Sequence, residues 1–174
     1  MSIVYLLSGS NLGNRREHLS NALKEIQHLA GKIIKVSQVF ESPAWGFEHP
    51  NLFLNQAIML ETNLSPDALL TVLLAIENKH GRIRTQHGYE ARHLDLDILF
   101  FDNLIVDKED LSIPHPRLHM RRFVLLPMSG IAAELIHPLL KKSIAELLKE
   151  CPDQSMVYEH TENNNKAEER KQKG

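Results

Sequence analysis

Apolar residues recur along this chain with two different periods, and the switches between them divide it into elements. The run Ile3-Val4-Tyr5-Leu6-Leu7, ended by Gly9, predicts a central first strand. After the turn Gly9-Ser10-Asn11-Leu12-Gly13, residues Leu19, Ala22, Leu23, Ile26 and Leu29 form one stripe, which predicts a helix from about Asn14 to Ala30. Gly31 closes that helix, and alternation from Lys32 to Phe40 predicts a second strand. Phe53 to Thr62 predicts a third, with Phe53, Asn55, Ala57, Met59 and Glu61 on one face. Ser65-Pro66-Asp67 is a cap, a first-turn proline and an acid at the positive end of the dipole, opening a helix that runs to Lys79 and stops at Gly81. Its buried stripe is Leu69, Val72, Leu73 and Ile76, and Glu77 falls on the flank as a solvated charge.

Arg92 to Phe101 has the apolar density of a buried strand, interrupted by Asp95 and Asp97. Asp102-Asn103 then predicts a turn into a short hairpin partner, Leu104-Ile105-Val106. Prolines hold Leu111 to Pro116 extended. Met120 to Leu135 predicts a helix broken at Pro127, and the capping box Ser143-Ile144-Ala145-Glu146 opens a last one to about Glu150. The order βαββαβ predicts an α+β, ferredoxin-like fold: a mostly antiparallel sheet with helices on its faces, three layers in all. A domain over residues 1–152 and a polar, disordered tail over 153–174 complete the expectation.

Composition narrows the class. A chain of 174 residues suits one self-sufficient core, and a net charge of −2 supplies no global field for nucleic acid or an anionic membrane. The single cysteine, Cys151, fits a reducing compartment, and no apolar run reaches the length of a membrane span. The expectation is a cytoplasmic protein that acts on small molecules as a monomer.

Candidate chemistry concentrates at Asp95 and Asp97. Positions i and i+2 of a strand share a face, roughly 6.6 Å apart along the backbone, a spacing that suits bracketing one or two divalent cations. An Asp-x-Asp alone is better explained by water or by arginine partners. Here, Arg82, Arg84 and Arg92 precede the pair, and His115, Arg117, His119, Arg121 and Arg122 follow it. Hard oxygen ligands among guanidinium forks are what a polyphosphate with Mg²⁺ requires. Arg82 to Arg92 reads as a mobile basic loop. The loop from Glu41 to Leu52 holds two prolines, a glycine and Trp45, which either binds a ligand or folds onto the core. Asn55 beside Phe53 either reads the edge of an amide-like heterocycle or satisfies a bulge.

These segments together resemble the 6-hydroxymethyl-7,8-dihydropterin pyrophosphokinases. The matching pieces are Gly9-Ser10-Asn11-Leu12-Gly13, Ser42-Pro43, Phe53-Leu54-Asn55, Glu77 with Gly81-Arg82-Ile83-Arg84, Arg92-x-x-Asp95-Leu96-Asp97-Ile98-Leu99, and Pro114-His115-Pro116-Arg117 with Arg121 and Phe123. The resemblance implies transfer of pyrophosphate from ATP to a pterin alcohol in folate biosynthesis, with two Mg²⁺ ions on Asp95 and Asp97. It implies Arg82 and Arg92 as catalytic residues. It further implies Glu77, Arg84, Ile98, Ser112, His115 and Arg121 around ATP, and Ser42, Pro43, Trp45, Phe53, Asn55, Tyr89 and Phe123 around the pterin. Many members carry Trp-Gly-Pro-Arg where this chain has Tyr89-Glu90-Ala91-Arg92, and Leu74 and Asp110 replace polar or basic contacts of some members. Two other readings use the same residues: a two-metal nucleotidyltransferase and a non-catalytic ferredoxin-like binding module.

Overall fold

In the computed structural model, which describes residues 1–81 and 92–161, the first strand divides its side chains between two cores. Strand β1 (Ser2–Ser10) sends Val4 and Leu6 into one core and Tyr5 and Leu7 into the other. Helices α1 (Arg15–Leu29) and α2 (Pro66–Lys79) fill the first core with Leu19, Ala22, Ile26, Leu69, Leu73 and Ile76. Side-chain caps start both: Asn14 accepts from the Glu17 N–H and Ser65 from the Ala68 N–H. Leu29, expected on the buried stripe, is half exposed, and Ala30 is buried in its place.

The expected second strand is two short ones, β2 (Lys32–Val36) and β3 (Phe40–Ser42), laid end to end along β4 (Phe53–Thr62). Between them the Ser37 hydroxyl, rather than a strand carbonyl, accepts the Ala57 N–H at 2.9 Å, so a side-chain bond takes the place of a ladder bond. Gly31 lets β2 turn into this pairing: its φ is +153° and a Cβ there would lie 2.2 Å from the Glu61 carbonyl oxygen.

Strand β5 (Asp95–Phe101) pairs antiparallel with β1. The hairpin expected at Leu104-Ile105-Val106 does not form. Leu104 and Ile105 are exposed, while β6 (Val106–Asp107) pairs with β7 (Ser112–Ile113) in a separate two-stranded sheet. The chain then returns to β5, where the His115 N–H donates to the Leu99 carbonyl at 2.9 Å.

After a 3-10 turn (Leu118–Met120), α3 (Arg122–Ala132) runs through Pro127 without the expected break, and α4 (Ile144–Glu150) follows the predicted capping box. Pro127 removes only the hydrogen bond that would run back to Phe123, and it is buried like Val124, Leu125 and Met128, which enter the second core. Ile144 and Leu147 of α4 complete that core against Tyr5, Leu7 and Ala57.

The strand order β5-β1-β4-β3-β8, with β2 also on β4, is the antiparallel ferredoxin-like sheet between two helical layers. Its last member, β8 (Tyr158–Glu159), lies within the stretch expected to be tail. It pairs with Phe40 and Glu41, and His160 beside it is buried. Sheet pairing therefore continues past residue 152.

Candidate active site

Register builds the floor of a cleft on the face of the sheet against which α3 and α4 pack. Asp97 stands beside Leu7, and Leu7 beside Ala57. One step along, Asp95 stands beside Gly9, Gly9 beside Asn55, and Asn55 beside Phe40. The period of two thus puts both carboxylates on the open face, as their spacing requires. Gly9 keeps the middle of that row bare, since a Cβ on it would lie 3.2 Å from Asn55 Oδ1. Above the floor is a cavity of about 330 Å³.

Cations and acids meet at one end of it. Arg92 Nη1 donates to Asp95 Oδ1 at 2.6 Å. Burial, then the neighbouring charges of Asp95 and Glu77, push the Asp97 carboxyl up to about 8, although Arg121 and Arg92 pull the other way. Glu77 is not the solvated charge its position suggested: it is 1% exposed, and its Oε1 accepts the Leu96 N–H at 2.8 Å from behind β5. Burial, and secondarily Arg121, hold the His115 imidazole down to about 4. Its Nδ1 accepts the Arg117 N–H at 3.2 Å, which leaves the proton of the neutral ring on Nε2 as a donor.

Those features fit a divalent cation. Two hard carboxylates share a face, and one is held so far from ordinary acidity that near neutral pH a positive partner is what ionises it. Among the described residues no group of three or more His, Cys, Asp or Glu side chains converges as a closed cage. A carboxylate pair alone leaves most of an octahedral sphere to water and phosphate oxygens, which is the habit of Mg²⁺.

Aromatic plates and amides occupy the other end. The Arg121 guanidinium lies 4.4 Å from the Trp45 ring centroid and 5.8 Å from that of Phe123. Phe47 meets Phe53 edge to face at 6.2 Å. Asn55 Nδ2 donates to Ser42 Oγ at 2.9 Å, both residues being buried, so each fixes the other's direction.

The cavity brings together Ser42, Pro43, Trp45, Phe53 and Asn55 with Arg92, Asp95, Asp97, His115, Arg121 and Phe123. Glu77, Ile98 and Ser112 stand outside its lining; Ile98 belongs to the opposite core. Arg82, Arg84 and Tyr89 lie outside the described residues. Leu7, Gly9, Phe47, Pro116 and Arg117 also line it without having been assigned to it from the sequence. Phe47 and Arg117 sit in segments already marked for chemistry, and only the cross-strand register reveals Leu7 and Gly9.

Hard-oxygen donors, guanidiniums and flat aromatic surfaces in one cleft of a ferredoxin-like sheet define a phosphate-handling transferase of the kind that acts beside a planar heterocycle. The family model for 7,8-dihydro-6-hydroxymethylpterin-pyrophosphokinase (HPPK) matches residues 5–133, and the chain belongs to that family. It is 40% identical over 141 residues to the 2-amino-4-hydroxy-6-hydroxymethyldihydropteridine pyrophosphokinase of Porphyromonas gingivalis, covering 79% of this chain and 95% of that one. With the protein of the same name from Haemophilus influenzae it shares 39% identity over 158 residues, 90% of this chain and 98% of the other. The wild-type Plasmodium falciparum HPPK-DHPS crystal structure with pteroate superposes with a TM-score of 0.72 at 17% identity, over 86% of this chain and 44% of that longer one. At that identity the likeness is one of fold.

Proposed function

We propose that this chain transfers the pyrophosphoryl group of ATP to the hydroxymethyl oxygen of 6-hydroxymethyl-7,8-dihydropterin, releasing AMP, in folate biosynthesis. The observation that carries the reading is the shared row Asp95–Gly9–Asn55, which sets an acid that suits a metal and an amide that suits a pterin edge on either side of a bare glycine. Family membership names the reaction that joins the two halves.

In this reading Asp95 and Asp97 hold two Mg²⁺ ions, which when bound neutralise the triphosphate and polarise its oxygens. Arg92 and Arg82 steady the transferring group, and Arg121, Arg84 and the Nε2–H of His115 grip the nucleotide. Glu77, Ile98 and Ser112 support the ATP side. Phe53 and Phe123 enclose the pterin, Asn55 with Ser42, Pro43 and Trp45 read its polar edge, and Tyr89 belongs to the same substrate-binding set. A pterin alcohol is a poor acid, and His115, already accepting on Nδ1, is no free base. Alignment and charge neutralisation therefore carry the rate for a loose phosphoryl transition state.

A monomer in the cytoplasm, meeting neither nucleic acid nor lipid, suits the net charge of −2 and the lack, among the described residues, of any helix long and apolar enough to cross a membrane. The test is product analysis: ATP, Mg²⁺ and the hydroxymethyl pterin should yield AMP. ADP as product, AMP release indifferent to the pterin, or pyrophosphate release as a nucleotidyltransferase would give, each overturns the reading.

A further inference from the structure

Asn11, in the turn between β1 and α1, lines no part of the cavity, yet it is 1% exposed and makes two hydrogen bonds to the backbone of Arg92. Its backbone N–H donates to the Arg92 carbonyl at 3.0 Å, and its Oδ1 accepts the Arg92 N–H at 2.6 Å. Two bonds of opposite sense on one residue fix the direction in which that residue's side chain leaves the backbone. Arg92 needs such a fixture, because it lies ahead of β5 and the ladder with β1 begins only at the pair Gly9 and Asp95. From the clamp its guanidinium reaches Asp95 Oδ1 at 2.6 Å. A third bond, from Asn51 Nδ2 to the Asn11 carbonyl at 3.3 Å, ties the same turn to the loop that carries Trp45.

Resting on the pyrophosphoryl-transfer reading, we propose that Asn11 is a positioning residue for the reaction. Through the backbone of Arg92 it aims the guanidinium at the group in transfer, and through Asn51 it keeps the loop over the second substrate in step with that aim. The side-chain oxygen carries the first of these roles and the backbone carbonyl the second. Asn11 Nδ2 is buried without a hydrogen-bond partner among the described residues, so aspartate, which burial favours as the neutral acid with a carbonyl acceptor of the same reach, reproduces what the site uses.

The experiment is a double-mutant cycle on AMP release, with Asn11→Ala, Asn11→Asp and Arg92→Ala singly and Asn11→Ala combined with Arg92→Ala, each protein also melted thermally. A misdirected catalytic group costs turnover more than binding, so Asn11→Ala should lower kcat about 10- to 100-fold while both KM values move less than ~3-fold. Asn11→Asp should recover most of kcat. In the Arg92→Ala background, Asn11→Ala should cost nothing further, which a merely structural role would not produce. Equal losses with and without Arg92, a loss confined to KM, or a lowered melt with unchanged kcat would each overturn the proposal. If Asn11→Ala does not fold, Asn11→Ser, whose hydroxyl is too short to reach the Arg92 N–H, replaces it in the same cycle with the same expectations. Wild-type protein that makes no AMP fails the reaction itself; an active wild type indifferent to Asn11 fails the positioning role alone.

Discussion

The guanidinium of Arg92 and the carboxylate of Asp95 form an ion pair at 2.6 Å, three residues apart on the approach to β5. Each side chain keeps about a quarter of its surface open, 23% and 24%, so both still face the cavity. In the proposed reaction, an arginine held against the acid that would carry the metal would follow charge as it develops on the phosphate. Arg92→Ala is therefore expected to lower kcat by about 10²- to 10³-fold, with a smaller rise in KM for ATP. Steady-state rates at varied ATP check it, and equal losses in binding and turnover would count against the role.

Asp97 makes a prediction about pH. Its folded pKa is raised from 3.8 to about 8, so the folded state holds the proton more tightly than the unfolded chain does. That contribution to stability is complete below about pH 4 and disappears as pH rises through 8. Metal-free protein should accordingly melt at lower temperature as pH climbs through this window, and Mg²⁺ should restore it. Asp97→Asn removes the ionisation, so in EDTA at pH 8 it should melt several degrees above wild type, at about 2–4 °C per kcal/mol for a chain of this size, and gain nothing from Mg²⁺. A variant less stable than wild type under those conditions would sink this account.

Gly9 tests the division of the cleft. Valine there would place methyl groups between Asp95 and Asn55, where even a Cβ comes within 3.2 Å of Asn55 Oδ1. We expect Gly9→Val to weaken pterin binding by about 10-fold or more, a loss of roughly 1.4 kcal/mol, with much less effect on nucleotide binding. Calorimetric titration of each ligand separates the two, and unchanged pterin affinity would mean that the glycine is only a strand residue.

Outside the cleft, His18 joins two other imidazoles. Its Nδ1 lies 2.9 Å from His80 Nδ1, its Nε2 lies 3.3 Å from His93 Nδ1, and His80 Nε2 lies 2.9 Å from Glu25 Oε1. Burial first, then His80 and His93, lower the His18 pKa below its ordinary 6.5. A lowered histidine contributes stability that is present above the unfolded pKa and lost as pH falls below it. The melting temperature should therefore decline on acidification from pH 6.5, and His18→Asn should flatten that limb. An acid limb that is as steep in the variant would remove His18 from the cause.

How far the sequence foretold this molecule depends on the range of the interaction. Local signals located elements well: Phe53–Thr62 and Pro66–Lys79 have the expected bounds, and Ser143 and Glu146 form the expected box. Period two put Asp95 and Asp97 on one face. Interactions between distant segments were not legible. Glu77 is buried because the start of β5 passes behind it, and Ser37 interrupts a strand because Ala57 offers it an N–H. The tail from 153 contributed a strand because Phe40 and Glu41 offered a place for it. At the cleft, residue types named the acids, arginines and aromatics, whereas Asn11 and Gly9 became visible only when Arg92, Asp95 and Asn55 arrived beside them from 40 or more positions away.

The docking of Tyr158 and Glu159 on β3 also has a bearing on solubility. Without them, the ladder groups of Phe40 and Glu41 would form an open sheet margin, a template on which another chain could add a strand. That margin runs straight into Ser42 and Pro43, so an intruding strand there would clog the mouth of the cleft as well as seed association. The two-residue β8 would thus act as a guard against self-assembly at a border of the sheet that adjoins the cavity-lining Ser42 and Pro43.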